Sequence, residues 1–229
     1  MIKYAFIFAR GGSKGLKNKN LKSFLKKPLV QHTINFAKKT KIFDKIILSS
    51  DNNKILKIGK KEKILTIKRP KKMSKSNSPE VDAWIHAINF LKDKDYIFDI
   101  MVVLPCTSPL RKKRDVINCI NLMDKKTHIV TTISKTKLNP SFNMFKKNKN
   151  NFIENFTKKD NKYYRRQDLP KIFTLTNSVY VTYPKNILRK KGIFNKNIKG
   201  IEIPKERTID IDDKIDFSIA EFLAKKNKI

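Results

Sequence analysis

Cysteine is nearly absent from this chain of 229 residues: Cys106 and Cys119 are the only two, and they make neither a CxxC pair nor a zinc spacing. A disulfide-stapled scaffold is thereby excluded, and a chain this long needs none, because it can bury most of its apolar surface in one core. A reducing, cytoplasmic compartment is the expectation. Long apolar runs are missing as well. Nothing approaches the roughly 20 residues that span a bilayer, and Tyr4–Ala9 is shorter than a signal-peptide core and runs straight into Arg10. Neither export nor a membrane partner is expected. The three histidines, His32, His86 and His128, form no HExxH motif and read as helix or core residues. There is no Walker-type loop, no Gly-x-Gly-x-x-Gly fingerprint and no internal repeat. Acidic residues are few, 20 Asp+Glu against 53 Lys+Arg, giving a formal net charge of +33. Such a balance ordinarily points to a polyanionic partner. Here the lysines are spread over almost every segment, so a solvated surface is the reading taken and no specific nucleic acid is expected. A basic nucleic-acid-binding module remains the rival from another class.

What is present is an alternation of two periodicities. The stretches "IKYAFIF" (2–8), "KIILSS" (45–50), "DIMVVL" (99–104), "HIVTTIS" (128–134) and "NSVYVTY" (177–183) read as strands, and their near-continuous apolarity suggests burial on both faces. Between them, 29–40, 52–61, 80–93 and 114–125 repeat apolar residues every three to four positions, as helices do. This order predicts a three-layer α/β fold around a mostly parallel sheet. Pro28 suits the start of the first helix and Asp51 the N-cap of the second. Residues 135–176 break the pattern: they are Asn/Lys-rich, and "KKNKNNF" suggests a hairpin tip. A structureless loop of that length is unusual, so this stretch reads as an inserted β-rich arm within a single 1–229 domain, packing on a second subunit. "GIEIP" (200–204) reads as a last strand and 213–226 as a closing helix, while Trp84 and the phenylalanines read as core.

Three stretches carry chemistry. "ARGGSKG" (9–15) follows the first strand, where open α/β sheets bind phosphate. Its glycines permit close backbone approach, and Arg10, Lys14 and Lys19 supply fixed positive charge, which suits a polyphosphate. "RTIDID" (207–212) places Asp210 and Asp212 two apart, so on an extended segment both carboxylates share a face and suit Mg²⁺; the alternative is that they cap the closing helix together with Asp213. "LPCTSPLR" (104–111) offers Thr107, Ser108 and Arg111 as a stiff binding loop, or Ser108 as the cap of a helix. Cys106 has no sequence-evident base beside it and is not read as a nucleophile.

Together these stretches resemble the acylneuraminate (CMP-sialic acid) cytidylyltransferase family. "ARGGSKGLKNKNL" is similar to its first loop, "LSSD" to its second-strand end, "KRP" (68–70) to its arginine segment, "TSPLR" to its third loop, "RRQDLP" to its arm and "IDID" to its metal segment, all in the family's order. The resemblance implies a Rossmann-like nucleotide-diphospho-sugar transferase fold, a homodimer and a reaction of CTP with a 2-keto-3-deoxy sugar acid to give the CMP-sugar and pyrophosphate. It places Arg10, Ser13 and Lys19 around the phosphates, Gly11 and Gly12 as backbone donors, and Asn20 and Arg69 near the nucleotide. Arg10, Lys19 and Asp210 become the catalytic set, with Mg²⁺ on Asp210 and Asp212. Thr107, Ser108, Arg111, Arg166 and Gln167 fall to the acceptor. The sequence also departs from the family: Pro105 and Cys106 replace a Gln-Pro pair, Thr176-Asn177 replaces Asn-Gly, Thr174 stands at a frequently basic position and Ser76 at a common aspartate. The nucleotide end is kept and the acceptor end altered, so another nonulosonate, an octulosonate or a phosphonate stays open as the acid.

Overall fold

The computed structural model describes residues 1–13, 15–74, 78–157, 165, 169–189, 192–194 and 196–227. In chain order these form β1 (Lys3–Phe8), β2 (Ser23–Phe24), β3 (Lys27–Pro28), α1 (Leu29–Thr40), β4 (Lys45–Ser50), α2 (Asn53–Lys61), β5 (Leu65–Lys68) and α3 (Glu80–Lys92). There follow β6 (Ile100–Val103), α4 (Lys113–Asn121), β7 (Ile129–Lys135), β8 (Phe145–Lys147), β9 (Ile153–Asn155), β10 (Phe173–Thr182), α5 (Pro184–Arg189), β11 (Ile198–Glu202) and α6 (Lys214–Lys226). β5 and α5 lie outside the elements read from apolar runs. Both are short, and a strand of four residues carries too little pattern to stand out.

Seven strands form one sheet in the order β11-β7-β10-β6-β1-β4-β5. β1 pairs in parallel with β4 and β6, β4 with β5, and β7 with β11, while β10 runs antiparallel to both β6 and β7. The sheet is thus mostly parallel, as expected. Its strand order reverses beside β1: β4 and β5 continue on one side, and the chain then returns to lay β6 on the other. At such a point two loops leave the carboxyl edge in opposite directions and open a crevice.

Alternation along β1 shows how the layers form. Ala5 and Ile7 pack with Val30 and Ile34 of α1, Ile55 of α2 and Val116 of α4, whereas Tyr4 and Phe6 pack on the other face with Trp84 and Ala87 of α3 and Ile187 of α5. Both faces are covered, which is why the strands are apolar almost throughout. A third cluster joins Leu16, Phe24, Leu29, Leu110 and Ile211 to Phe217 and Ala220 of α6. Leu110 and Ile211 come from two of the chemistry-bearing stretches and Leu16 directly follows the other, so this small core brings those stretches together.

Pro28 does precede α1, but the second helix differs from expectation. Asn52, not Asp51, is its N-cap, with Oδ1 accepting from the backbone of Lys54 and Ile55, because Asp51 is turned toward the first loop. α4 begins at Lys113, so Ser108 caps no helix; its hydroxyl points instead at β10. The closing helix is capped by Asp213, whose carboxylate accepts from Asp216 N. In the inserted arm, β8 and β9 pair antiparallel around a tip within "KKNKNNF", where Asn151 takes a left-handed conformation (φ 66°). Several phenylalanines are not core: Phe142, Phe145, Phe152, Phe156 and Phe173, all from the arm or its edge, are exposed. Among the described residues no helix is long and apolar enough to cross a membrane.

Candidate active site

The crevice at the strand reversal is a cleft of about 350 Å³ with Phe8 of β1 and Val103 of β6 at its floor. Arg10, Ser13, Lys19, Asn20 and Arg69 line it, together with Pro105, Cys106 and Thr107 of the third loop and with Glu80, Asn177 and Tyr180. Residues widely separated in the chain meet here because the parallel strands all end at this edge. β10 contributes by running the other way: Tyr180 pairs with Val103, so the residues before it project past the end of β6.

The first loop is held from behind. Gly11 N donates to Asp51 Oδ1 at 2.9 Å, and a β-carbon on Gly11 would lie 2.7 Å from the Asn52 side chain. Gly11 therefore secures the loop to the β4–α2 junction, and its N–H is taken by a carboxylate, not offered to a phosphate. A β-carbon on Gly12 would meet nothing within 4 Å, whereas one on Gly15 would stand 2.5 Å from the Asp212 carbonyl oxygen. Lys14 lies outside the described residues. Asn20 Nδ2 donates to Arg10 O at 3.0 Å, and its buried Oδ1 has no partner among the described residues. Arg69 is buried, its Nε donating to Ser74 Oγ at 3.0 Å, and desolvation lowers its pKa while Asp51 and Glu80 partly restore it.

The "IDID" segment is tied to the same loop. Lys19 Nζ donates to Ile211 O and to Asp212 Oδ1, the latter at 2.9 Å, and Ile211 N donates to Thr107 O at 2.8 Å. Asp210 Oδ2 accepts from Asn177 Nδ2 at 2.6 Å, while its buried Oδ1 has no partner among the described residues. These two aspartates are the candidate Mg²⁺ ligands. The described residues hold no cluster of three His, Cys, Asp or Glu side chains suited to a metal. Mg²⁺ does not require one, since it commonly takes one or two carboxylates and completes its shell with water and phosphate oxygens. The buried oxygen of Asp210, without a partner among the described residues, fits that use, and Asp212, two positions on, is exposed with Lys19 as its partner.

The third loop divides. Thr107 lines the cleft, but Ser108 and Arg111 are turned inward. Arg111 is 3% exposed and donates to the carbonyls of Ser178 and Pro105, and burial pulls its guanidinium down to about 10. Neither side chain meets the cleft, because the backbone of β10 lies between. Arg166 and Gln167 lie outside the described residues, as does Ser76. Cys106 lines the cleft with its thiol pushed up to about 11 by burial, which removes it as a nucleophile.

Glu80 was missed by sequence reasoning, where it marked only a helix start. It stands at the first residue of α3, solvent-accessible yet surrounded by protein atoms, with Oε1 accepting from Trp84 Nε1 at 3.3 Å. Desolvation raises its carboxyl above the ordinary range, opposed by the Trp84 bond and by Arg69 and reinforced by Asp210. Tyr180 was also missed, being read as a strand residue; burial raises its hydroxyl pKa.

A family model described as Cytidylyltransferase matches residues 4–229. The chain belongs to the cytidylyltransferase family. It is 31% identical over 234 residues to a pseudaminic acid cytidylyltransferase of Campylobacter jejuni, covering 99% of this chain and 98% of that one. It is 25% identical over 222 residues to an N-acylneuraminate cytidylyltransferase of Escherichia coli, covering 97% of this chain and 52% of the relative. Its fold is similar to that of CMP:2-keto-3-deoxy-manno-octonic acid synthetase complexed with CTP, with a TM-score of 0.73, 15% identity and coverage of 99% and 100% of the two chains. This cytidylyltransferase is thus a nucleotidyltransferase of the acylneuraminate type, with its cleft at the place where the fold binds ligands.

Proposed function

We propose that this cytidylyltransferase joins CTP to a nonulosonate, a 2-keto-3-deoxy sugar acid, and releases the CMP-sugar and pyrophosphate. One observation carries the reading: cationic Arg10, Lys19 and Arg69 border the same cleft as Asn177, which holds Asp210 by one carboxylate oxygen while the other is buried without a partner among the described residues. A triphosphate suits the cations, and the carboxylate suits the Mg²⁺ that would accompany it. The curated relatives named for pseudaminic and N-acylneuraminic acid support the acceptor class.

In the reaction the anomeric hydroxyl of the sugar acid attacks the α-phosphorus, its proton departs, and the bond from that phosphorus to the bridging oxygen breaks. Negative charge then grows on the leaving pyrophosphate. Lys19 and Arg10 stand where they stabilise it, and Ser13 and Asn20 orient the nucleotide, so the protein acts chiefly by positioning and electrostatics. Asp210, with Asp212 beside it, would hold Mg²⁺, which when bound neutralises the triphosphate. Lys19, which donates to Asp212 Oδ1, would turn to the phosphates of bound CTP. The exposed apolar side chains of the arm support a homodimer, and two free, buried cysteines suit the reducing cytoplasm.

Purified protein incubated with CTP, Mg²⁺ and a panel of pseudaminate, neuraminate and octulosonate should release pyrophosphate with a nonulosonate. Lys19→Ala should lower kcat/KM by at least about 100-fold, as loss of a transition-state charge contact does. No release with CTP, UTP, GTP or ATP and any acid in the panel would overturn the reading.

A further inference from the structure

We infer that Asn177 is a positioning residue for Asp210: it grips one carboxylate oxygen so that the other is presented to the cation, and it couples that carboxylate to Tyr180 in the cleft wall. This rests on the reading of Asp210 as a Mg²⁺ ligand.

Both ends of the Asn177 side chain are engaged. Oδ1 accepts from the Tyr180 hydroxyl at 2.5 Å, and Nδ2 donates to Asp210 Oδ2 at 2.6 Å. The amide has one workable orientation. An ionised carboxylate only accepts, so turning the amide over would set oxygen against oxygen at Asp210 and strand the Tyr180 proton. An aspartate at 177 would place two carboxylates in contact, and an apolar residue would leave Oδ2 of Asp210 without this donor.

The frame behind Asn177 is unusually well held. The pairing of β10 with β7 shifts register between Leu175 and Tyr180, a bulge that frees backbone carbonyls from the ladder. Side chains occupy them in succession: Thr132 donates to Thr176 O, Ser108 to Asn177 O, Arg111 to Ser178 O and Thr131 to Val179 O, each at 3.0 Å. Ser108 and Arg111, which face away from the cleft, thus serve it through this bulge. The Asp210 side is equally anchored, with Ile211 N bonded to Thr107 O and Arg207 paired with buried Asp115 through contacts of 2.7 and 3.1 Å. Between these two fixed segments the Asn177–Asp210 bond sets the carboxylate's rotation. It leaves Oδ1 buried and without a partner among the described residues, an expensive state that a cation relieves.

The test measures Mn²⁺ binding to the full chain by the loss of the free-ion EPR signal, alone and with α,β-methylene-CTP. Beside it, binding of the analogue is measured in EDTA. Asn177→Ala should weaken Mn²⁺ about 10- to 100-fold, the range for loss of a partner behind a metal ligand, and alter analogue binding in EDTA by a much smaller factor. Tyr180→Phe should weaken Mn²⁺ in the same direction by less. In turnover, Asn177→Ala should raise the half-saturating Mg²⁺ concentration by a matching factor and recover kcat at high Mg²⁺, which a general loss of structure does not do. Asn177→Ser, too short to reach Asp210, replaces it if the alanine variant fails to fold. Equal Mn²⁺ affinity in wild type and variant overturns the inference while leaving the cytidylyl-transfer reading intact. A wild type that binds the analogue but no Mn²⁺ overturns the metal assignment and this inference with it. A wild type that binds neither overturns the function itself.

Discussion

Glu80 shows how a single residue changes meaning between chain and fold. In the sequence it is an acidic residue in the first turn of a helix, a favourable place beside the helix dipole. In the structure its carboxyl feels the charges of Arg69 and Asp210 and is held above its ordinary value, first by desolvation. The folded state therefore binds this proton more tightly than the unfolded one, and stability falls as pH rises from the ordinary value of 4.5 through the raised folded value. Glu80→Gln removes that fall. Melting curves across pH 4 to 8 should show the variant gaining on the wild type as pH climbs through this window and then holding a constant advantage. A constant difference at every pH would show that Glu80 does not titrate abnormally. Cys106 shows agreement between the two: the sequence offers it no base, and in the fold burial pushes its thiol up to about 11, so neither supports a nucleophile.

At the scale of elements, the "RTIDID" segment depends on an interaction that local sequence does not announce. Arg207 and Asp115, separated by 92 positions, form a buried two-contact pair, and Asp115 also accepts from Lys112 N at the start of α4. The pair fixes the chain just ahead of Asp210. Arg207→Ala leaves a buried carboxylate uncompensated, which costs about 3–5 kcal/mol. Urea unfolding should show that loss as a lower midpoint, and at full occupancy of the folded state turnover should also fall because the segment carrying Asp210 is loosened. An unchanged midpoint would mean that the pair is not what anchors the segment. The positions of "ARGGSKG" and "LPCTSPLR" after strands and of "IDID" ahead of the closing helix were legible because apolar runs, glycines and paired aspartates are local signals. Their convergence was not, since it is made by Leu16, Leu110 and Ile211 in a shared cluster and by Lys19 reaching Ile211 O and Asp212. The same blindness assigned Ser108 and Arg111 to the acceptor: their types suit binding, but their direction is set by the bulge in β10.

For the whole molecule the arm and the charge act against each other. Phe142, Phe145, Phe152, Ile153 and Phe156 form exposed apolar surface on a hairpin that makes its own two-stranded sheet apart from the central one. Two copies that each carry a formal +33 also repel. If the arm closes a homodimer, association should strengthen with salt, because screening removes repulsion while leaving apolar burial. Light scattering at micromolar protein should report a dimer in 0.15 M salt, and Phe152→Ser with Ile153→Ser should shift it to monomer without lowering the melting temperature of the body by more than about 2 °C, as surface substitutions seldom exceed ±0.5 kcal/mol. A wild type that stays monomeric at every salt concentration would remove the dimer from the proposal.

By itself the sequence determined the layered α/β architecture, since strand and helix periodicities are carried by neighbours a few positions apart and survive in the one-dimensional pattern. It also determined which loops end at the ligand edge, because in a parallel sheet chain order and strand ends are linked. The tertiary structure alone decided which polar residues face the cleft. That choice depends on long-range contacts: the strand reversal beside β1, the antiparallel return of β10 and the pinned bulge that turns Asn177 toward Asp210 and Arg111 away from the site.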